Sequence, residues 1–291
     1  MIIVQIKGGL GNQLFSYAAA YGIAKENQTE LILDRYIYDT SYVLRRYMLN
    51  DFPMINNEFV IKNAPFKNKI SQIIYKTSRK VKLNYKYNVN IVLEDEEFKY
   101  QSIKINSENI YLNGYWQNYN YFNKYKKDIV EMFQPNIELS ERDETLLSKI
   151  QRSNSVAVHV RRGDYVKFKG GKCLSESYYM EAIQYIKSNR GEDCIYYIFT
   201  DDVEYCKDIF KGIKNVKFIA EESSLDDLEE FYLMSKCKDI IMANSSFSWW
   251  AAYLSNCNEK IVIAPVVDMW TEEFYLPEWV KLKSELQSNS I

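Results

Sequence analysis

The chain of 291 residues sets 37 lysines and arginines against 39 aspartates and glutamates, a formal net charge of −2. That balance excludes the broad basic field on which nucleic-acid binding rests, and no apolar stretch approaches the length of a membrane span. An apolar fraction of 47% is that of an ordinary globular protein, and the length allows two domains.

Residues 1–13, MIIVQIKGGLGNQ, enter a strand pattern at once. They carry no charged n-region, apolar h-region or small-residue cleavage site, so the expectation is a cytoplasmic chain without a secretory signal. Five scattered cysteines without a CxxC agree with reduced, structural thiols. The strand at 2–6 leads through a glycine loop into a helix pattern, LFSYAAAYGIAKE, and 31–34 reads as a second strand. The loop Gly9-Leu10-Gly11-Asn12-Gln13-Leu14 comes close to a dinucleotide fingerprint, with Asp34 ending the next strand 23 residues beyond Gly11. In that reading the glycines admit a pyrophosphate, the acid holds a ribose, and the protein is an NAD-dependent oxidoreductase. The third glycine is replaced by Leu14, however. Asn12 and Gln13 each donate and accept hydrogen bonds, so the loop either offers side chains to a ligand or is a plain turn between strand and helix.

Residues 35–110 hold several short ambiguous elements. Within them, 59–93 carry eight lysines and arginines and no acid, and Ile70, Ile73, Ile74, Thr77 and Val81 fall at helical spacing. Over 67–87 this is either the solvated face of an ordinary helix or a basic face for peripheral contact with an anionic membrane. NIYLNGYWQNYNYF (109–122) reads as a strand entering an aromatic turn, and 123–133 as a helix. Pro135 and the polar run 136–154 mark a boundary, giving domains 1–150 and 151–291.

The second half alternates strand and helix more regularly. SVAVHV (155–160) is a short β-branched strand, 176–189 a helix, 194–200 and 216–220 strands, 225–237 a helix, 239–243 a strand, 248–255 a helix and 260–265 a strand. This rhythm implies an α/β fold with parallel sheets. Three strand-end loops carry chemistry. HVRRGDY places His159, Arg161, Arg162 and Asp164 at the end of a buried strand, where α/β folds keep their ligands. Guanidinium groups there suit an anion, and a salt-bridged strand end is the plain alternative. Asp201 and Asp202 follow the next strand as ribose or base acceptors, or as helix caps. Ser245, Ser246 and Phe247 open a helix whose N-terminus suits a phosphate, or merely cap it. Together these loops suggest a nucleotide diphosphate. The sole histidine excludes a multi-histidine zinc site. Aromatics at 15%, led by 25 tyrosines, leave a non-catalytic glycan-binding protein as a further class.

Four segments in order, GGLGNQLFSYA (8–18), LNGYWQNYNYF (112–122), HVRRGDY (159–165) and NSSFSWWAAYL (244–254), resemble glycosyltransferase family 11, the α-1,2-fucosyltransferases of bacterial type. The resemblance implies a GT-B fold, two Rossmann-like domains facing across a cleft, with the acceptor side N-terminal and the donor side C-terminal. It implies an inverting enzyme with no metal and no cofactor, using GDP-β-L-fucose as donor and a galactose-terminated glycan as acceptor. The absence of any Asp-x-Asp in the chain agrees with it. By resemblance, Arg161 neutralises the leaving β-phosphate, and Arg162 and His159 serve the nucleotide. Asp201 contacts guanine or ribose, and Ser245, Ser246 and Phe247 line the diphosphate and base pocket. Gly11 and Asn12 face the donor from the opposite domain. Asp164 is either the general base or an orienting partner for an arginine.

Overall fold

The structure is a computed structural model and describes residues 1–39, 45–55, 89–105, 109–167 and 173–287. The basic stretch 67–87 lies outside the described residues. The chain forms two compact α/β units, Met1–Asn136 with Thr271–Phe274, and Ile137–Trp270 with Tyr275–Ile291. The division therefore falls after Asn136 and not at 150. The helix at Glu141–Arg152 buries Leu146 and Ile150 within the second unit, so its polar sequence is an amphipathic cover and not a linker.

In the first unit, β1 (Ile2–Gln5), β2 (Leu31–Asp34), β3 (Val89–Leu93) and β4 (Asn109–Asn113) form a parallel sheet in the order β2-β1-β4-β3. The chain moves to one side of β1 for β2 and to the other for β3 and β4, so the strand order reverses between β1 and β4. Helix α1 (Leu10–Glu26) follows β1 and is buried on nearly every face, which leaves it without an amphipathic stripe. At Gly22 a Cβ would lie 1.9 Å from the carbonyl oxygen of Tyr121, so the helix meets the 3₁₀ turn at Tyr119–Tyr121 backbone to backbone. Helix α2 (Lys126–Met132) closes the unit.

The second unit opens with α3 (Glu141–Arg152), whose Ser140 caps the helix by accepting from the Asp143 N–H. Its sheet is six-stranded and parallel, in the order β11-β10-β9-β5-β7-β8. The strands are β5 (Ser155–Val160), β7 (Ile195–Thr200), β8 (Val216–Phe218), β9 (Asp239–Ile241), β10 (Val262–Val266) and β11 (Val280–Lys283). The remaining β6 (Cys173–Leu174) and β12 (Leu286–Gln287) make a small antiparallel ribbon. Helices α4 (Glu176–Arg190), α5 (Val203–Ile209), α6 (Ile219–Glu222), α7 (Asp227–Ser235) and α8 (Ser246–Leu254) alternate with the strands. β5 is central and buried at all six positions, as its continuous β-branched run requires. The chain leaves β5 toward β7 and β8, then returns to its other side for β9 to β11, so this sheet reverses order between β5 and β9. The strand expected at 216–220 is shorter, because the backbone turns into α6 at Ile219. Edge strand β11 alternates half-buried and exposed residues.

Candidate active site

Open α/β sheets hold ligands beyond the carboxyl ends of the strands where the order reverses. In the second unit that point lies between the loops after β5 and β9, and the sequence-selected residues gather there. His159 is the penultimate residue of β5. It is 7% exposed, its ring lies 5.6 Å from that of Phe247, and its Nδ1 is buried with no partner. Burial drives its pKa down to about 3, with the Arg161 charge adding to the effect, so the imidazole is neutral. Phe247 packs in turn on Phe231 of α7, at 5.4 Å between ring centres. Ser245 is the N-cap of α8 and accepts from the Phe247 N–H, and Ser246 opens the helix. Tyr165 ties the two loops together, its hydroxyl donating to the Asn244 carbonyl at 3.2 Å.

The two arginines part company. Arg161 holds Asp164 at 2.7 Å through Nη2 and Asp201 at 2.7 Å through Nη1, and lies 5.7 Å over the Tyr165 ring. Arg162 turns the other way. Its guanidinium sits 3.5 Å from the centre of the Tyr205 ring, its Nε bonds Asp202 at 2.9 Å, and its side chain is only 10% exposed. Arg162 is thus buried against its partners, while the Arg161 side chain is 24% exposed.

Asp201 is the hub of the turn. Its Oδ1 accepts from the Arg162 N–H at 2.8 Å and the Gly163 N–H at 3.0 Å, while Oδ2 pairs with Arg161. Both oxygens are engaged by the protein, so the carboxylate holds the turn in shape. A Cβ on Gly163 would lie 2.7 Å from Asp201 Oδ2, so only glycine lets the turn close on it. Asp202 caps α5 by accepting from the Tyr205 N–H. Asp164, half-exposed, pairs with Arg161.

Glu230 of α7 feels the same charges. Burial first, then the charges of Asp227 and Asp201, push its pKa up to about 7, against a downward pull from Arg161. No spacing in the sequence separates this acid from its neighbours in LDDLEEF.

In the first unit Gly11 is buried in the first turn of α1. Gln13 is not offered to a ligand. It is fully buried, with Nε2 donating to the Gly8 and Arg46 carbonyls and Oε1 accepting from the Met48 N–H. Asn12 accepts from Gln117 Nε2 at 2.8 Å. Asp34, 1% exposed, is engaged by the Tyr111 hydroxyl at 2.5 Å, which turns it away from the ribose role of a dinucleotide fold. No helix among the described residues is long and apolar enough to cross a membrane.

A family model described as glycosyl transferase family 11 matches residues 1–283. The chain belongs to glycosyl transferase family 11. An Escherichia coli alpha-1,2-colitosyltransferase is 35% identical over 97% of this chain and 99% of its own length. The E. coli O-antigen biosynthesis glycosyltransferase WbnK is 32% identical over 89% of this chain and 92% of its own. A galactoside alpha-(1,2)-fucosyltransferase 2 from Hylobates lar is 25% identical, covering 96% and 78% respectively. Among solved structures, the NodZ alpha-1,6-fucosyltransferase co-crystallized with GDP gives a TM-score of 0.53 at 16% identity, over 90% of this chain and 94% of that one. At that identity the likeness shows the fold, which is GT-B. For this member of family 11, the residues of HVRRGDY and NSSFSWW stand at one reversal point of one sheet, although 78 residues separate the two segments in the chain.

Proposed function

We propose that the protein is an inverting, metal-independent glycosyltransferase. It moves L-fucose from GDP-β-L-fucose to the 2-hydroxyl of a terminal galactoside, forming an α-1,2 linkage in surface-glycan synthesis. The observation that carries the reading is Arg161, a cation held by two carboxylates at 2.7 Å beside a buried, unpartnered imidazole nitrogen and the N-terminus of α8. A neutral imidazole and an aromatic ring suit a nucleoside, and a guanidinium with a helix N-terminus suits its diphosphate.

In this reading the galactoside oxygen attacks C1 of fucose as the bond from C1 to the β-phosphate oxygen breaks. The departing GDP takes the bonding pair, and its growing charge falls on Arg161, preorganised by Asp164 and Asp201. The hydroxyl proton is released to water, so the products are the fucosylated glycan, GDP and one proton. Ser245 and Ser246 serve the diphosphate, and His159 and Phe247 the nucleoside. Arg162 and Asp201 act by holding the loop. The donor is the only nucleotide required, with no cofactor and no metal.

A second reading, transfer of colitose through the same chemistry, is favoured by the relative named as an alpha-1,2-colitosyltransferase. Incubation with each nucleotide sugar and a panel of β-galactosides, with linkage analysis of the product, tests both. An α-1,2-fucosylated product supports the first reading, an α-1,2-colitosylated one the second, and no glycosyl transfer sinks both.

A further inference from the structure

The first unit has its own reversal point, between β1 and β4, and the donor-side residues do not account for what is built there. Glu94, directly after β3, accepts from the Tyr115 N–H at 2.7 Å through one oxygen and from the Trp116 N–H at 2.8 Å through the other. Burial raises its pKa while these two donors pull it down. A Cβ on Gly114 would lie 2.5 Å from the Cβ of Glu94, so only glycine fits under the clamp. Trp116, fully buried, is held at φ 55°, a backbone region that bulky side chains rarely enter. Across the reversal point Gly8 has φ 82°, and a Cβ there would meet Asn12 Nδ2 at 2.7 Å.

Gln117 follows directly on this constrained backbone. It is 8% exposed and donates Nε2 to Asn12 Oδ1 at 2.8 Å. That is its one hydrogen bond among the described residues, so its carbonyl oxygen has no partner there. That oxygen still reaches the surface, on a side chain otherwise held in place, so a ligand hydroxyl can take the place of water as its donor. Its position, where an open α/β sheet reverses, is where a ligand binds. The surroundings choose the ligand. The nearby cation, Lys7, is engaged by Asn113 Oδ1 at 3.2 Å and lies 4.7 Å from the centre of the Tyr115 ring, and the nearby carboxylate, Glu94, is spent on backbone. What remains is an amide acceptor two residues along the same loop from Tyr115, and an amide with an aromatic ring suits the hydroxyls and apolar face of a neutral sugar.

We propose that Gln117 Oε1 accepts a hydrogen bond from a hydroxyl of the galactoside acceptor, and that Glu94 is the positioning residue that sets it there. The identity of the ligand as acceptor rests on the glycosyl-transfer reading above.

The test uses the full chain and two variants, Gln117→Met and Glu94→Gln. Gln117→Met keeps the length of the side chain without its polar atoms. Glu94→Gln leaves one good acceptor for two backbone donors. Binding of lactose is read by saturation-transfer NMR without any donor, and GDP affinity by calorimetry. KM for lactose and kcat are measured with GDP-fucose. We expect wild type to bind lactose. Gln117→Met should weaken lactose binding and raise its KM about tenfold, the size of one neutral hydrogen bond. Glu94→Gln should raise that KM severalfold, with kcat changed less than KM, and GDP affinity should stay within about twofold of wild type in both. If fucosyl transfer is absent but wild type binds lactose and Gln117→Met does not, the function reading fails and this inference stands. Wild type that binds no lactose, variants that keep its affinity and KM, or a parallel loss of GDP affinity each overturn the inference.

Discussion

Arg161 and Arg162 are neighbours in sequence with the same charge, and the structure assigns them opposite kinds of consequence. Arg161→Ala removes a side chain that is 24% exposed, paired with two carboxylates at 2.7 Å. No buried charge is stranded, because Asp201 keeps two backbone N–H donors and Asp164 reaches water. The cost in stability should be at most about 1 kcal/mol. The cost in rate should be about 3–4 kcal/mol, on the order of a thousandfold, the size of losing one preorganised electrostatic group at a developing anion. Arg161→Lys keeps the charge, loses the planar fork, and should fall between. Arg162→Ala removes a guanidinium stacked 3.5 Å from the Tyr205 ring and bonded to Asp202. It should cost about 2–3 kcal/mol of stability, a fall in Tm of roughly 5–10 °C, with a smaller loss of rate once folded. The assays are kcat/KM with GDP-fucose and a galactoside, and thermal unfolding followed by circular dichroism. An Arg161→Ala enzyme within a few-fold of wild type beside a dead but stable Arg162→Ala would show the roles reversed. Two active variants would reduce HVRRGDY to a structural strand end.

The single histidine gives a clean titration. His159 should stay neutral from pH 8 to 5 in NMR of the folded protein, and a midpoint near 6.5 would refute its burial. Because its folded pKa, about 3, lies below the unfolded value, its stabilising contribution is present above pH 6.5. It is lost as pH falls toward 3, at up to about 1.4 kcal/mol per pH unit. Activity should be unchanged in EDTA, and loss restored by manganese or magnesium would remove the leaving-group role from Arg161. Gly22→Ala should lower Tm by the equivalent of about 1–3 kcal/mol, despite better helix propensity, because its Cβ meets the Tyr121 carbonyl at 1.9 Å. A rise in Tm would contradict that close approach.

The parts of the site that were legible in sequence are those made by one short segment. SVAVHV could only be a central buried strand, so the charges after it had to lie at a strand end, and SSFSWW carried its own helix cap. What stayed illegible depends on contacts between distant residues. Asp201 faces inward because the amides of Arg162 and Gly163 meet it from a loop some 40 residues away. Gln13 is buried by the carbonyl of Arg46 and the amide of Met48. Glu94 acquires its task only when β3 and β4 pair, which no local pattern in EDEE announces. Edge strand β11 passed unnoticed because VKLK is too short to show its alternation.

The most direct test of the donor site is a crystal structure of the protein with GDP. The β-phosphate should lie about 3 Å from the Arg161 guanidinium, at the carboxyl ends of β5 and β9, with the nucleoside against His159 and Phe247. GDP bound away from that point, with Arg161 still closed on Asp164 and Asp201 and no phosphate near it, would contradict the account.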